Sequence, residues 1–400
     1  MSSKSKCTDW SNQRAASVML VKLLLTLGVT YQCACGQETN GNNVALLLPT
    51  FFADKTIVEV SEYEGNDDFS TAQLVGAYPN AIVAIKGSQQ GPADLDVYSF
   101  QKTSPTGGIA VNLRVDSENE RSIQFCLFDS ELNLLRRQGL RSSTSNRGVD
   151  AVVPLGKDQK RIFIVISVWE MGVAEVEPTT SFFDYTIHLQ ETEPLTSTAP
   201  SRKKVWLAFG GLEELGLAES SMLGIRRFDP DRISNRLSGS MPQVIESLVS
   251  DLRLILGDYD IEFQVYGSSA VIGDDDIIAL IGGSNPEMNG TIRSIGLPDG
   301  STRTAVLVFA ENLASLEQFA FSPQQAARFL ANVVAHEFGH VIGLDHTIEP
   351  GDAMSIFQTA NRRFDYLGTF GRATLLPSIS RVGFQDGRAR LLAAIGPSLR

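Results

Sequence analysis

The chain has 400 residues, enough for two or three domains. Apolar residues make up 43% and charged residues 20%, as in an ordinary globular protein, which excludes low-complexity disorder for most of the chain. With 34 basic and 46 acidic residues the net charge is −12, which argues against nucleic acid or anionic lipid as a partner. Three of the four histidines lie within eleven residues of one another, and this cluster governs the functional interpretation.

The first 36 residues have the pattern of a secretory signal peptide: a basic flank, a short apolar run at 23–31 and a small-residue end. The apolar run is too short to span a bilayer, so we expect a secreted or periplasmic protein without stable membrane insertion. A lipid anchor at Cys33 or Cys35 is an alternative that the flanking residues do not favour, and a buried N-terminal helix is another. Cleavage would leave Cys126 as the only cysteine, so no intrachain disulfide is expected.

Residues 61–191 alternate between apolar and polar side chains with the period of two that is typical of β-strands. Residues 109–115 show this alternation clearly, whereas 161–169 are almost continuously apolar, as in a central strand. Clusters of Gly, Asp, Asn and Ser separate the runs. We therefore predict an all-β sandwich over 61–191, preceded by a linker at 37–60. His188 falls on the polar face of its strand and is predicted to be solvated.

A change of periodicity marks a second domain after a predicted linker at 192–204. The pattern indicates a helix that begins at Ser240 and stops at Gly257. Residues 205–400 are thus predicted to form an α/β domain with a mixed sheet and long helices, with the sandwich as an independently folded accessory unit. The predicted strands of this domain are 205–209, 261–265, 277–281 and 304–309.

A second long helix is predicted to begin at Ser322, because Ser-Pro-Gln-Gln places a capping serine, an N1 proline and an N3 glutamine in order. Inside it, His336 and His340 are four residues apart and therefore share one helix face. Gly343 can adopt a positive φ, which would end the helix and bring His346 back to the same point. Three imidazoles converging in this way predict a zinc site.

The ligand set predicts a catalytic rather than a structural zinc ion. Structural zinc sites usually have four protein ligands, often cysteines, and no cysteine follows Cys126. Three histidines leave a fourth position for water, whose pKa zinc lowers toward neutrality. Glu337 follows His336 directly and can serve as the general base. This combination predicts hydrolysis of a peptide bond.

Residues 336–354 resemble the metzincin zinc metallopeptidases, which carry His-Glu-x-x-His-x-x-Gly-x-x-His followed by a Met-turn. The segment Gly351-Asp-Ala-Met354 places its methionine eight residues after His346, a spacing similar to that of the matrixin branch. The resemblance implies a metzincin-like catalytic domain in which Met354 forms an apolar floor beneath the zinc. Ile356 stands where several branches carry a tyrosine, which leaves Tyr366 as a distant candidate for that role.

The sandwich segment resembles the bacterial pre-peptidase C-terminal domain, a β-sandwich attached to secreted proteases. The matching segments are 64–68, 94–100 and 184–189. Asp94 and Asp96 are candidate calcium ligands, but two carboxylates fall short of the six or more oxygens that calcium prefers, so a polar turn is favoured. The same alternatives apply to the acidic run 274–276.

These observations predict a secreted zinc endopeptidase with a protein or peptide substrate, Zn²⁺ as cofactor and Ca²⁺ as a second candidate ion. His336, His340 and His346 are the expected metal ligands, Glu337 the catalytic base and Met354 a structural support. One alternative is a catalytically inactive adhesion or matrix-binding protein, which retention of the glutamate argues against. Another is a zinc amidase that acts on a cell-wall polymer, which the sequence leaves open.

Overall fold

The computed structural model describes residues 55–398 except for internal segments at 77, 79–80, 92–93, 104–106, 117–121, 142–147, 156–158, 169–182, 193–199, 218–223, 268, 299, 357–363, 377–379 and 381. The predicted signal peptide and most of the first predicted linker therefore lie outside the described residues. In the described part of the chain, no helix is both long and apolar enough to cross a membrane.

Strands account for the regular structure described in the first half of the chain. They form two five-stranded sheets, in the orders β1-β3-β10-β5-β8 and β2-β4-β9-β6-β7. The strands are β1 (Thr56–Ser61), β2 (Gln73–Val75), β3 (Ala81–Gln89), β4 (Leu95–Gln101), β5 (Gly108–Asp116), β6 (Ser122–Phe128), β7 (Leu134–Arg141), β8 (Gly148–Pro154), β9 (Arg161–Val168) and β10 (Phe183–Thr192). The first strand thus begins inside the segment predicted as a linker.

The two sheets share one apolar core, as a sandwich requires. Ile109, Val111 and Leu113 of β5 are fully buried and pack in the same cluster as Phe125 of β6 and Ile164 of β9. The alternation in 109–115 is thereby confirmed, because alternate residues of a strand point to one face. The apolar strand β9 occupies the centre of its sheet, where both faces are covered.

His188 departs from the sequence prediction. It lies on β10 opposite Asn112 of β5, is half-buried, and places its Nδ1 3.3 Å from the Asn112 Oδ1. Burial lowers the pKa of this imidazole, and the guanidinium of Arg114 lowers the pKa further. His188 is therefore a packed residue of the sheet rather than a fully solvated one.

The second half contains a mixed five-stranded sheet in the order β12-β11-β13-β15-β14. Its first four strands are parallel to their neighbours, and β14 pairs antiparallel with β15 at the edge. The elements are β11 (Lys203–Ala208), α1 (Met241–Leu256), β12 (Ile261–Val265), β13 (Ile277–Ile281), β14 (Gly290–Gly296), β15 (Thr302–Val308), a 3-10 helix (Ala310–Phe319), α2 (Pro323–Val341), β16 (Arg372–Thr374), β17 (Phe384–Asp386) and α3 (Gly387–Ala394), with three shorter 3-10 turns between β11 and α1.

The apolar faces of α1 and α2 pack against this sheet. Leu248 of α1, Leu330 of α2 and Val306 of β15 belong to one buried cluster. The predicted bounds of α1 and four strand positions agree with the structure to within a few residues, whereas β14 was not predicted. The described part of the chain is thus β-rich, with several sheets and few helices, which is consistent with the predicted multidomain, β-rich protein.

The two halves of the chain share an apolar contact. Leu375 of the second half is buried in one cluster with Val97, Cys126, Phe128 and Phe163 of the sandwich. Because water would reach these side chains if the halves separated, the contact stabilises their association. Cys126 lies in this contact, and burial raises the pKa of its thiol to about 12.

Candidate metal centre

The structure brings the three predicted histidines to one point. All their candidate ligand atoms lie within 4.8 Å of one another. The His340 Nε2 is 3.2 Å from the His336 Nε2 and 3.1 Å from the His346 Nε2. Imidazole nitrogens bound to one tetrahedral zinc ion at its usual bond length would be separated by about 3.3 Å. The spacing of the three rings therefore fits a single metal ion.

Backbone carbonyls orient two of the three rings. The His336 Nδ1 is 2.9 Å from the Ala353 carbonyl oxygen, and the His340 Nδ1 is 2.8 Å from the Leu344 carbonyl oxygen. A carbonyl can only accept, so each Nδ1 carries the hydrogen and each Nε2 presents a lone pair to the common point. Lone pairs so close together repel unless a cation lies between them. The donor set is therefore suited to a metal.

Helix α2 positions this set through its own sequence. Ser322 caps it: the Ser322 Oγ accepts from the Gln325 N–H at 3.2 Å, and the Ser322 N–H donates to the Gln325 Oε1 at 2.9 Å. The predicted capping box is confirmed. At the other end Gly343 has φ +85°, and the Leu344 N–H donates to the Gly339 carbonyl at 2.9 Å. This left-handed residue reverses the chain, as predicted, and allows His346 to face the helix.

Glu337 directly follows His336 in α2, and only 3% of its surface is exposed. Its carboxylate rests against Gly290, the first residue of β14. A Cβ atom at Gly290 would lie 2.7 Å from the Glu337 Oε1, too close for any side chain. The glycine therefore makes room for the carboxylate between the helix and the edge strand. Sequence analysis missed this contact, although the Asn-Gly pair at 289–290 signals a local change of direction.

A tight turn holds Met354 against helix α2. Met354 is buried, and its N–H donates to the Asp352 Oδ1 at 2.9 Å. The same carboxylate oxygen accepts from the Thr347 hydroxyl at 2.9 Å, while the Thr347 N–H donates to the Met354 carbonyl at 3.1 Å. Asp352 thus ties the turn to the segment that follows His346. The sequence did not single it out.

The methionine sulfur also packs directly against Gly339 of α2, where a Cβ atom would clash with it. The glycine inside the histidine motif therefore permits close approach of the turn. By contrast, Tyr366 is 69% exposed, and its backbone carbonyl accepts from the Asn332 Nδ2 at 2.9 Å. The segment 357–363 after Ile356 lies outside the described residues.

The acidic run 274–276 has protein partners. The Asp276 Oδ2 accepts from the Trp206 Nε1 at 2.8 Å, and the Asp274 carboxylate pairs with the Arg303 guanidinium at 2.8 Å. The run precedes β13, so it is the charged turn that the sequence favoured.

Asp94 and Asp96 occupy different environments, contrary to the prediction of one polar turn. Asp94 precedes β4, but Asp96 lies within β4 and is completely buried. The Asp96 Oδ2 accepts from the Gln89 Nε2 at 2.5 Å and from the Tyr185 hydroxyl at 2.7 Å. Burial, followed by the charge of Glu62, raises the pKa of Asp96 to about 8, against the lowering effect of these two hydrogen bonds.

This raised pKa predicts a stability that falls with rising pH. The unfolded carboxyl loses its proton near pH 4, whereas the folded one keeps it to about pH 8, so folding takes up a proton in this window. The free energy of unfolding should fall by up to about 1.4 kcal/mol per pH unit from this group alone. The Asp96→Asn variant lacks this titrating group. Its free energy of unfolding, measured by urea unfolding from pH 5 to 8 with chelator present, should therefore fall less steeply with pH than that of the wild type.

Repeating that measurement with Ca²⁺ tests whether Asp96 binds a calcium ion as well as a proton. If Asp96 binds only a proton, added Ca²⁺ should leave the wild-type slope unchanged. A slope that Ca²⁺ abolishes in the wild type but not in Asp96→Asn would instead assign a calcium site here. Equal slopes for the two proteins without calcium would contradict the raised pKa.

The chain has distant structural similarity to several solved proteins. It matches archaemetzincin from Methanopyrus kandleri at 12% identity and a TM-score of 0.24, covering 43% of this chain and 91% of that one. It matches TmCBM61, solved with β-1,4-galactotriose, at 13% identity and a TM-score of 0.19, covering 32% and 98%. A Kashmir bee virus virion chain is matched over 49% of its length and 22% of this chain, at 7% identity and a TM-score of 0.16. No family profile and no curated protein sequence matches the chain.

Proposed function

We propose that the protein is a secreted zinc-dependent endopeptidase of metzincin type. The observation that carries the proposal is the convergence of three histidine Nε2 atoms, with a buried glutamate directly after the first of these histidines in α2. Convergent imidazoles without a thiolate suit a catalytic zinc ion. A buried carboxylate directly follows the first of these ligands in helix α2, which is where hydrolysis requires a base.

His336, His340 and His346 would hold the zinc. When bound, zinc supplies a water of lowered pKa and polarises the carbonyl to be attacked. The carboxylate of Glu337 accepts the proton of the attacking water and returns it to the nitrogen of the departing amine. The Ala353 and Leu344 carbonyls keep two rings in the required tautomer throughout, because each accepts an Nδ1 hydrogen.

The edge strand β14 favours a peptide over a cell-wall polymer as substrate. Among the described strands, β14 pairs with β15 alone, so an added strand would bind at its other edge. An extended peptide can bind such an edge by main-chain hydrogen bonds. Gly290 begins this strand and touches Glu337, so a peptide lying along it would pass the catalytic carboxylate. A polysaccharide cannot make this strand-like contact.

The remaining parts of the proposal rest on the sequence. The basic and apolar pattern of residues 1–36 supports export through a signal peptide. The histidine motif at 336–346 and the Met-turn at Met354 support the metzincin assignment.

The decisive experiment measures cleavage of a mixed peptide library by the purified protein. We expect cleavage to stop when 1,10-phenanthroline removes the metal and to return when Zn²⁺ is restored. Protein loaded with zinc that cleaves none of the peptides would reject the endopeptidase. If that protein released amines from peptidoglycan instead, the amidase alternative would replace it.

A further inference from the structure

We propose that Arg137, a residue of the β-sandwich, is a positioning residue for the metal-binding loop 343–346 of the other half. The inference rests on the proposed metal centre and goes beyond it, because it assigns the sandwich a role in holding a metal ligand. Arg137 lies on β7 and forms an ion pair with the carboxylate of Asp345. Asp345 immediately precedes the ligand His346.

The ion pair is enclosed. Only 15% of the Arg137 side chain and 11% of the Asp345 side chain are exposed. An exposed ion pair contributes little, but a carboxylate that is nearly enclosed and then loses its partner is strongly destabilised, and its segment shifts toward water. Removing the guanidinium should therefore move the loop that carries His346.

A second contact fixes the backbone of the same residue. The Asp345 N–H donates to the Gln385 Oε1 at 2.6 Å, and the Gln385 Nε2 donates to the Asp345 carbonyl at 2.8 Å. Gln385 is a buried residue of β17. Asp345 is thus held by its backbone from the second half and by its side chain from the sandwich. Arg137 is the sandwich residue that makes the side-chain contact.

Arg390 also faces Asp345 with a positive charge. Its hydrogen bonds, however, go to carbonyls: its Nε donates to the Ile342 oxygen at 3.2 Å, and its Nη1 donates to the Leu135 oxygen at 3.4 Å. Arg390 therefore partly offsets the charge of Asp345 without fixing its carboxylate. Arg137 therefore fixes the orientation of the Asp345 carboxylate in addition to supplying a positive charge.

The sandwich contacts that surround Arg137 do not depend on it. The Phe384 N–H donates to the Leu132 carbonyl at 2.8 Å, and Leu375 is buried with Cys126 and Phe128. These contacts should keep the halves together when Arg137 is replaced. Its loss is then expected to act on the loop rather than on the whole interface.

The test compares Arg137→Met with a second interface arginine in the full-length protein. Arg372 is the matched control, because it crosses to the sandwich through Asn133 at 2.9 Å and the Glu131 carbonyl at 2.7 Å but does not contact the loop. Zinc affinity is measured by competition with a chelator, without peptide. We expect Arg137→Met to weaken zinc binding by about 10-fold, as for other residues that orient a ligand, and Arg372→Met to change it by less than about twofold.

Two further variants distinguish positioning from general destabilisation. If Arg137 acts through Asp345, the double variant with Asp345→Asn should lose no more affinity than Arg137→Met alone. Arg137→Lys keeps the charge but not the planar fork, and should restore part of the affinity. The d–d spectrum of the cobalt-substituted protein should change in Arg137→Met and stay unchanged in Arg372→Met.

Equal zinc affinities for the two methionine variants would overturn the proposal. So would a loss of affinity accompanied by rapid alkylation of the Cys126 peptide, since that thiol is buried in the interface and its reaction would report separation of the halves. Failure of the proposed function is distinguishable. A protein that binds zinc with this Arg137 dependence but cleaves no peptide would retain the positioning role and lose the endopeptidase assignment.

Discussion

Replacing Glu337 with glutamine is expected to lower peptide hydrolysis by about 10²- to 10⁴-fold, the usual contribution of a positioned acid–base group. This corresponds to about 3 to 5.5 kcal/mol of activation free energy. Glutamine keeps the size of the side chain and fits the space beside Gly290, but it cannot accept the proton of the attacking water. The three histidines are unchanged, so zinc should remain at near one ion per chain.

The measurement is kcat/KM on the best peptide of the library, with zinc content determined on the same sample. Glu213→Gln is the matched control, because Glu213 is an exposed glutamate in a 3-10 turn and should show wild-type activity. Full activity of Glu337→Gln would mean that another group activates the water. A zinc-loaded wild type without activity would support the inactive adhesion protein.

Replacing His340 with alanine is expected to abolish stoichiometric zinc binding and, with it, hydrolysis. The change removes one of three ligands, the ring that the Leu344 carbonyl orients by accepting its Nδ1 hydrogen. Two imidazoles hold zinc poorly, so affinity should fall by more than the roughly 10- to 100-fold typical of changes around a ligand. The wild type at a zinc concentration 100 times its Kd should gain about 2.7 kcal/mol of stability, and the variant should gain almost none.

Thermal unfolding with and without zinc measures this difference. His188→Ala is the matched control, because His188 is a half-buried histidine on β10 that pairs with Asn112 rather than with the cluster. Its zinc-dependent rise in Tm should equal that of the wild type. A His340→Ala protein with the full rise would show that the ion binds elsewhere.

Local sequence signals predicted the elements that carry the candidate site. The capping box at Ser322 and the left-handed Gly343 set the two ends of the functional part of α2, since both act within a few residues of the chain. The period of the helix then put His336 and His340 on one face. The strand alternation in 109–115 is equally local, because successive residues of a strand face opposite sides.

The edge strand β14 shows where local signals were insufficient. Its burial pattern does not alternate regularly, and it contains charged and small residues as well as apolar ones. Its place beside Glu337 follows from pairing with β15, a partner that its own sequence does not specify. The buried Asp96 was misjudged for a related reason: an Asp-Leu-Asp sequence resembles a turn until the opposite sheet covers it.

The sequence by itself determined the three histidines, the glutamate beside them and the glycine that turns the chain, since helix period and backbone conformation are properties of neighbouring residues. Only the tertiary structure decided that Gly290 makes room for Glu337 and that Arg137 of the sandwich reaches Asp345, 208 residues further along the chain. Such contacts depend on how separate sheets and helices pack, and packing is set by the shapes of whole apolar faces. The residue patterns therefore predicted a metal centre, while the fold decided what surrounds and supports it.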